Sequence, residues 1–164
     1  MMMYHELAGF MPPALANEIL EFVYQSDKPV YKGTLAAVAE AKKVRPAFLE
    51  KKSRKDRHED MIGVLSRPRM EEAAASLIRG WLAKTQQSML ADFLNTCGIR
   101  HEDGIVEDFP ESMDEEKLKS AIDLLLSKYP TSNVIIYLNA VATMTEGKWT
   151  NLDEMLKNDP RLQF

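Results

Sequence analysis

The 164-residue chain has a single cysteine, Cys97, so no internal disulfide can form. In "FLNTCGI" it falls in the last turn of a helix ahead of Gly98, where it reads as a small buried hydrophobe. A functional thiolate would want a helix N-terminus or a cationic neighbour instead. Long apolar runs are also missing. The best candidate, "VIIYLNAVATM", is far shorter than the roughly 20 apolar residues of a membrane helix, so no membrane span is expected. The leading "MMMYHELAGFMPPALA" has no basic region and is interrupted by Pro12 and Pro13. It does not read as a secretory signal, and a cytoplasmic location is the expectation. Neither GxxxxGK, GxSxG nor CxxC occurs, and the seven glycines are scattered. This removes the positive case for common nucleotide, hydrolase and thiol chemistry, and no cofactor is expected.

What the chain does have is helical periodicity. Its length and ordinary apolar content suit one self-supporting domain over residues 1–164. Pro12 and Pro13 suit a helix start, after which Leu15, Ile19, Phe22 and Val23 recur at helical spacing until "SDKP". Thr34 is placed to cap a second helix that stops near Arg45, before Pro46. Ala74, Leu77, Ile78 and Trp81 form one apolar stripe, and Leu90, Phe93, Leu94 and Cys97 form another. The two are out of phase across "KTQQ", which predicts a bend or two helices. Gly98 is the expected left-handed cap. Ser112 or Asp114 then opens a helix carrying Leu118, Ile122, Leu125 and Tyr129, which halts at Pro130. "VIIYLNAV" fits a helix capped by Ser132, with a strand paired to "GIVEDF" as the alternative, and Thr150 is placed to cap a last short helix. The expectation is an all-α domain of six to eight helices, arranged as hairpins in a bundle or as a short HEAT-like array.

Charge is distributed unevenly. Residues 42–69 hold ten Lys or Arg against four acids, whereas Glu102 to Glu116 holds eight acids and no Lys or Arg. Residues 50–60 contain no apolar side chain and read as a solvated face or exposed connection; residues 100–113 read as an acidic connection. Lys51, Lys52, Arg54, Lys55, Arg57, Arg67 and Arg69 are candidate contacts for phosphates or for a partner. Interleaved aromatics are missing, however, and Glu50, Asp56, Glu59 and Asp60 dilute the patch. Glu107, Asp108, Glu111, Asp114, Glu115 and Glu116 are the candidate acidic contact surface.

The tetrapeptide RHED occurs twice, at Arg57 and at Arg100, each time ahead of a Met and an acidic pair. The offset of 43 residues lies in the range of two- or three-helix repeats, so the copies could mark duplicated helical hairpins. His58 and His101 with their adjoining carboxylates also raise a metal site. The three-or-four-residue ligand spacing of helical metal sites is missing, and an arginine sits inside each copy, so a solvated charged face is the preferred reading. The function that fits best is non-enzymatic: a helical module binding another protein or itself. Nucleic-acid binding through 42–69 is the alternative, and a metal-dependent enzyme using His58 and His101 ranks behind it.

Overall fold

The computed structural model describes all residues, Met1–Phe164. It is all-α, with ten α-helices and no strand: α1 (Tyr4–Phe10), α2 (Pro13–Ser26), α3 (Lys28–Lys42), α4 (Pro46–Glu50), α5 (Arg54–Leu65), α6 (Glu71–Thr85), α7 (Gln87–Thr96), α8 (Glu115–Lys128), α9 (Thr131–Met144) and α10 (Thr150–Asn158). Short 3₁₀ turns cover Pro68–Met70 and Pro160–Leu162. None of the helices is long and apolar enough to cross a membrane. The count exceeds the expected six to eight because short helices sit where the sequence pattern is weakest. The chain divides into two compact units, residues 2–81 and residues 82–164 with Met1.

In the first unit α5 is the hub, packing on α1, α2, α3 and α4. A linear array would bring each element against its chain neighbours only, so this unit is a bundle. Leu7, Ile19, Leu20, Val38, Leu49, Met61 and Leu65 are buried around it. Two local readings are corrected here. Thr34 does not cap a helix; it lies inside α3 with its hydroxyl donating to the Val30 carbonyl. Asp27 caps instead, accepting from the Val30 N–H, because Pro29 is tolerated in the first turn. Residues 50–60 are not all solvated either, since α5 begins at Arg54 and His58 is only 1 % exposed.

In the second unit α9 packs on α8, α10 and the C-terminal 3₁₀ turn. Every residue from Asn133 to Ala142 is buried. A helix buried on all faces has no polar stripe, which is why its β-branched run also looked like a strand. Its start lies at Thr131 after Pro130, so Ser132 is not the cap, and α10 likewise starts at Thr150 without a side-chain cap. The break between α6 and α7, the left-handed Gly98 (φ 71°) and the Asp114 cap of α8 agree with the sequence pattern.

Candidate functional site

The two RHED copies adopt unlike structures, so they do not mark duplicated hairpins. The first, Arg57 to Asp60, is helical within α5, whose N-terminus Ser53 caps by accepting from the Asp56 N–H. Arg57 turns back and donates to three carbonyls at the end of α4 and beyond, those of Leu49 (3.2 Å), Glu50 (3.2 Å) and Lys52 (3.3 Å). It also donates to the Tyr31 hydroxyl at 3.1 Å. The Tyr31 hydroxyl is also hydrogen-bonded to His58 Nε2, 2.8 Å away. Nδ1 faces Glu21 Oε1 at 3.6 Å, and a carboxylate only accepts, so the proton of neutral His58 is favoured on Nδ1, which leaves Nε2 to accept from the Tyr31 hydroxyl. Burial holds the His58 pKa below the ordinary histidine range, outweighing the attraction of Glu21 for the charged form. Arg54 pairs with Glu21 at 2.9 Å and lies 4.6 Å from the Tyr24 ring centroid. Lys52 pairs with Asp60, which also takes Lys42 at 3.3 Å.

Of the seven candidate basic contacts, then, Lys52, Arg54 and Arg57 are engaged within the first unit. Lys51, Lys55, Arg67 and Arg69 are exposed and make no ion pair.

A further histidine, His5, was not singled out by its sequence context. Its Nδ1 lies 2.5 Å from Glu71 Oε2, and the same carboxylate accepts the backbone N–H groups of Tyr4 (2.9 Å) and His5 (3.0 Å). Burial opposes the charge on Glu71, but these hydrogen bonds win and keep its pKa below the ordinary carboxylate range. Glu71 thus caps α1 from a distant helix. A cap supplied from so far along the chain leaves no local signature.

The second RHED copy lies outside any helix. Asp103 and Gly104 both have positive φ, 51° and 89°, as a type I′ turn requires. Glu102 and Ile105 exchange backbone hydrogen bonds of 2.9 Å across it as an isolated antiparallel bridge. His101 braces the turn: its Nδ1 accepts the Gly104 N–H at 3.0 Å and its Nε2 donates to Asn95 Oδ1 at 2.8 Å. A Cβ on Gly104 would come within 2.8 Å of Leu90 Cβ, so glycine is required by both contact and conformation.

This turn lies within a long irregular connection, residues 97–114, that is tied down along its length. Trp149 donates from Nε1 to the Pro110 carbonyl at 2.8 Å and packs edge-on against Phe109, with ring centroids 5.8 Å apart. Asn151 donates to the Met113 carbonyl at 2.7 Å. Asp114 caps α8 by accepting the Lys117 N–H at 3.0 Å. Between the end of α7 and the start of α8 lies an open cleft of about 530 Å³. Ile99, Phe109, Pro110 and Met113 give it an apolar lining, while Arg100, Lys117, Asp108 and Asp114 supply charges of both signs. Cys97 also borders it, but burial pushes that thiol up to about 12, so it stays protonated at neutral pH.

The six candidate acids are distributed around this cleft and the start of α8, and all are exposed. Glu111 pairs with Lys148 (3.2 Å) and Glu115 with Lys119 (3.2 Å), whereas Glu107, Asp108 and Glu116 make no ion pair. No set of three or more His, Cys, Asp or Glu side chains is grouped so as to hold a metal ion. His58 and His101 each have their own partners. Comparison with known protein-family models, with curated proteins and with solved structures gives no match.

Proposed function

We propose that the protein is a non-enzymatic binding module whose cleft over residues 97–117 receives a segment of a protein partner. The observation that carries this reading is the build of the connection 97–114. Loops of this length without secondary structure are uncommon in compact domains and are usually functional or disordered. This one is neither short nor loose: Trp149, Asn151, His101 and Asp114 hold it at four separate points. Preformed backbone lowers the ordering cost of binding. The lining mixes apolar and charged groups, as interfaces for peptide segments do, and pairs no nucleophile with a base.

The phosphate-binding alternative is weakened because three of its seven residues are committed to Asp60, Glu21 and backbone carbonyls. The cytoplasmic location expected from the sequence is part of the same proposal. The test is selection of binders from a random displayed peptide library, followed by amide chemical-shift mapping of an enriched peptide. The reading expects the shifts to concentrate in residues 97–117. Absence of enrichment, or shifts concentrated on α5, would contradict it.

A further inference from the structure

Resting on that reading, we infer that the occupant of the cleft is a second copy of this chain, bound head to tail through the corner that joins α4 to α5. The chemistry of the cleft restricts its occupant. Arg100 and Lys117 disfavour a purely basic segment, and Asp108 with the neighbouring Glu107 and Glu116 disfavours a polyanion such as nucleic acid. A match needs an apolar anchor carrying both signs of charge.

The α4–α5 corner has that composition. Phe48 on α4 is 53 % exposed, a large aromatic left in solvent. It stands among exposed Arg45, Glu50, Lys51 and Lys55, none of which makes an ion pair within the chain. Arg57 fixes the shape of this corner by binding the carbonyls of Leu49, Glu50 and Lys52, and Lys52 lies 5.5 Å from the Phe48 ring centroid. The corner is therefore rigid before binding. An aromatic anchor in an apolar pocket with a charged rim is the usual plan of a binding hot spot. In the proposed contact Phe48 enters between Phe109, Pro110 and Met113, Glu50 meets Arg100 or Lys117, and Lys51 and Lys55 meet Glu107 and Asp108.

The two surfaces are different, so the contact is heterologous. It leaves one free corner and one free cleft at the ends and propagates into a ring or an open chain. Because exposed charges guide it, it weakens as salt shortens the screening length.

Sedimentation velocity at low ionic strength tests this with two variants, each folded by circular dichroism. Lys51→Glu/Lys55→Glu removes the corner and keeps the cleft; Glu107→Lys/Asp108→Lys removes the rim of the cleft and keeps the corner. Wild type is expected to form species beyond the dimer that shrink as sodium chloride rises. Either variant alone is expected to bind itself at least tenfold more weakly. In the equimolar mixture the reversed corner of one variant attracts the reversed cleft of the other, and the two intact surfaces attract each other, so association is expected to return through both pairings. Joining all four substitutions in one chain is expected to restore the wild-type distribution. A monomeric wild type, variants that associate like wild type, or a quadruple variant that stays dissociated would overturn the inference. A monomeric wild type whose residues 97–117 still bind a selected peptide would remove the self-partner and leave the proposed function standing.

Discussion

In α5 the arginine of the first RHED copy bends back onto three carbonyls and a tyrosine hydroxyl, and the histidine beside it is buried. In the second copy Arg100 is exposed on the rim of a cleft, and His101 braces a two-residue turn. The difference teaches that a tetrapeptide carries little conformational instruction of its own. Its neighbours decide. Ser53 caps the helix ahead of the first copy, and Met61 after it is buried, extending the apolar face of α5. The second copy follows the helix-terminating Gly98 and is itself followed by Gly104, which makes Asp103-Gly104 a turn pair. The first copy consequently belongs to the framework, and the second shapes the surface proposed for binding.

The largest expected contrast is between the histidines. Replacing His58 by alanine opens a buried space and strands the Tyr31 hydroxyl, at a cost of about 3 kcal/mol. His101→Ala removes two hydrogen bonds at a more exposed position and should cost about 1 kcal/mol. Urea unfolding of both variants measures the difference; equal losses would collapse the distinction between framework and surface.

The arginines follow the same order. Arg57→Ala should cost about 2 kcal/mol, since it releases carbonyls at the end of α4. Arg100→Ala should stay within about 0.5 kcal/mol, as surface changes usually do. Gly104→Ala falls between them, at about 1 to 2 kcal/mol, because it combines strain at φ 89° with the approach to Leu90. This variant should also weaken peptide binding at 97–117, which Arg57→Ala should not do.

A smaller effect should appear with pH. The groups facing His58 are Glu21 and Tyr24 of α2, Tyr31 of α3, and Arg54 and Arg57 of α5. The folded pKa of His58 lies below its unfolded value of about 6.5. The unfolded chain therefore takes up the proton first. The contribution is complete above about pH 6.5 and is lost as pH falls through the folded pKa. Denaturation midpoints between pH 8 and pH 5 should decline in wild type and decline less in a His58→Gln variant.

Much of the architecture could be read locally. The phase slip at "KTQQ", the left-handed Gly98 and the Asp114 cap are signals within a few residues of the feature they produce. What escaped notice depended on partners distant in sequence. Glu71 caps α1 across 66 and 67 residues, and His58 is buried with Tyr31, 27 residues away, as its hydrogen-bond partner, against the polar look of residues 50–60. The cleft is a different case. Its turn pair Asp103-Gly104 was visible in the sequence, but the anchoring of Pro110 and Met113 by Trp149 and Asn151 was not.

The split between the two copies is tested most directly by the tautomers of their histidines, read from long-range nitrogen–proton NMR correlations on the alkaline side of the histidine range. Tyr31 donating to His58 Nε2 requires the His58 proton on Nδ1. The Gly104 N–H donating to His101 Nδ1 requires the His101 proton on Nε2. The account predicts these opposite tautomers within one molecule. The same tautomer at both histidines would contradict it.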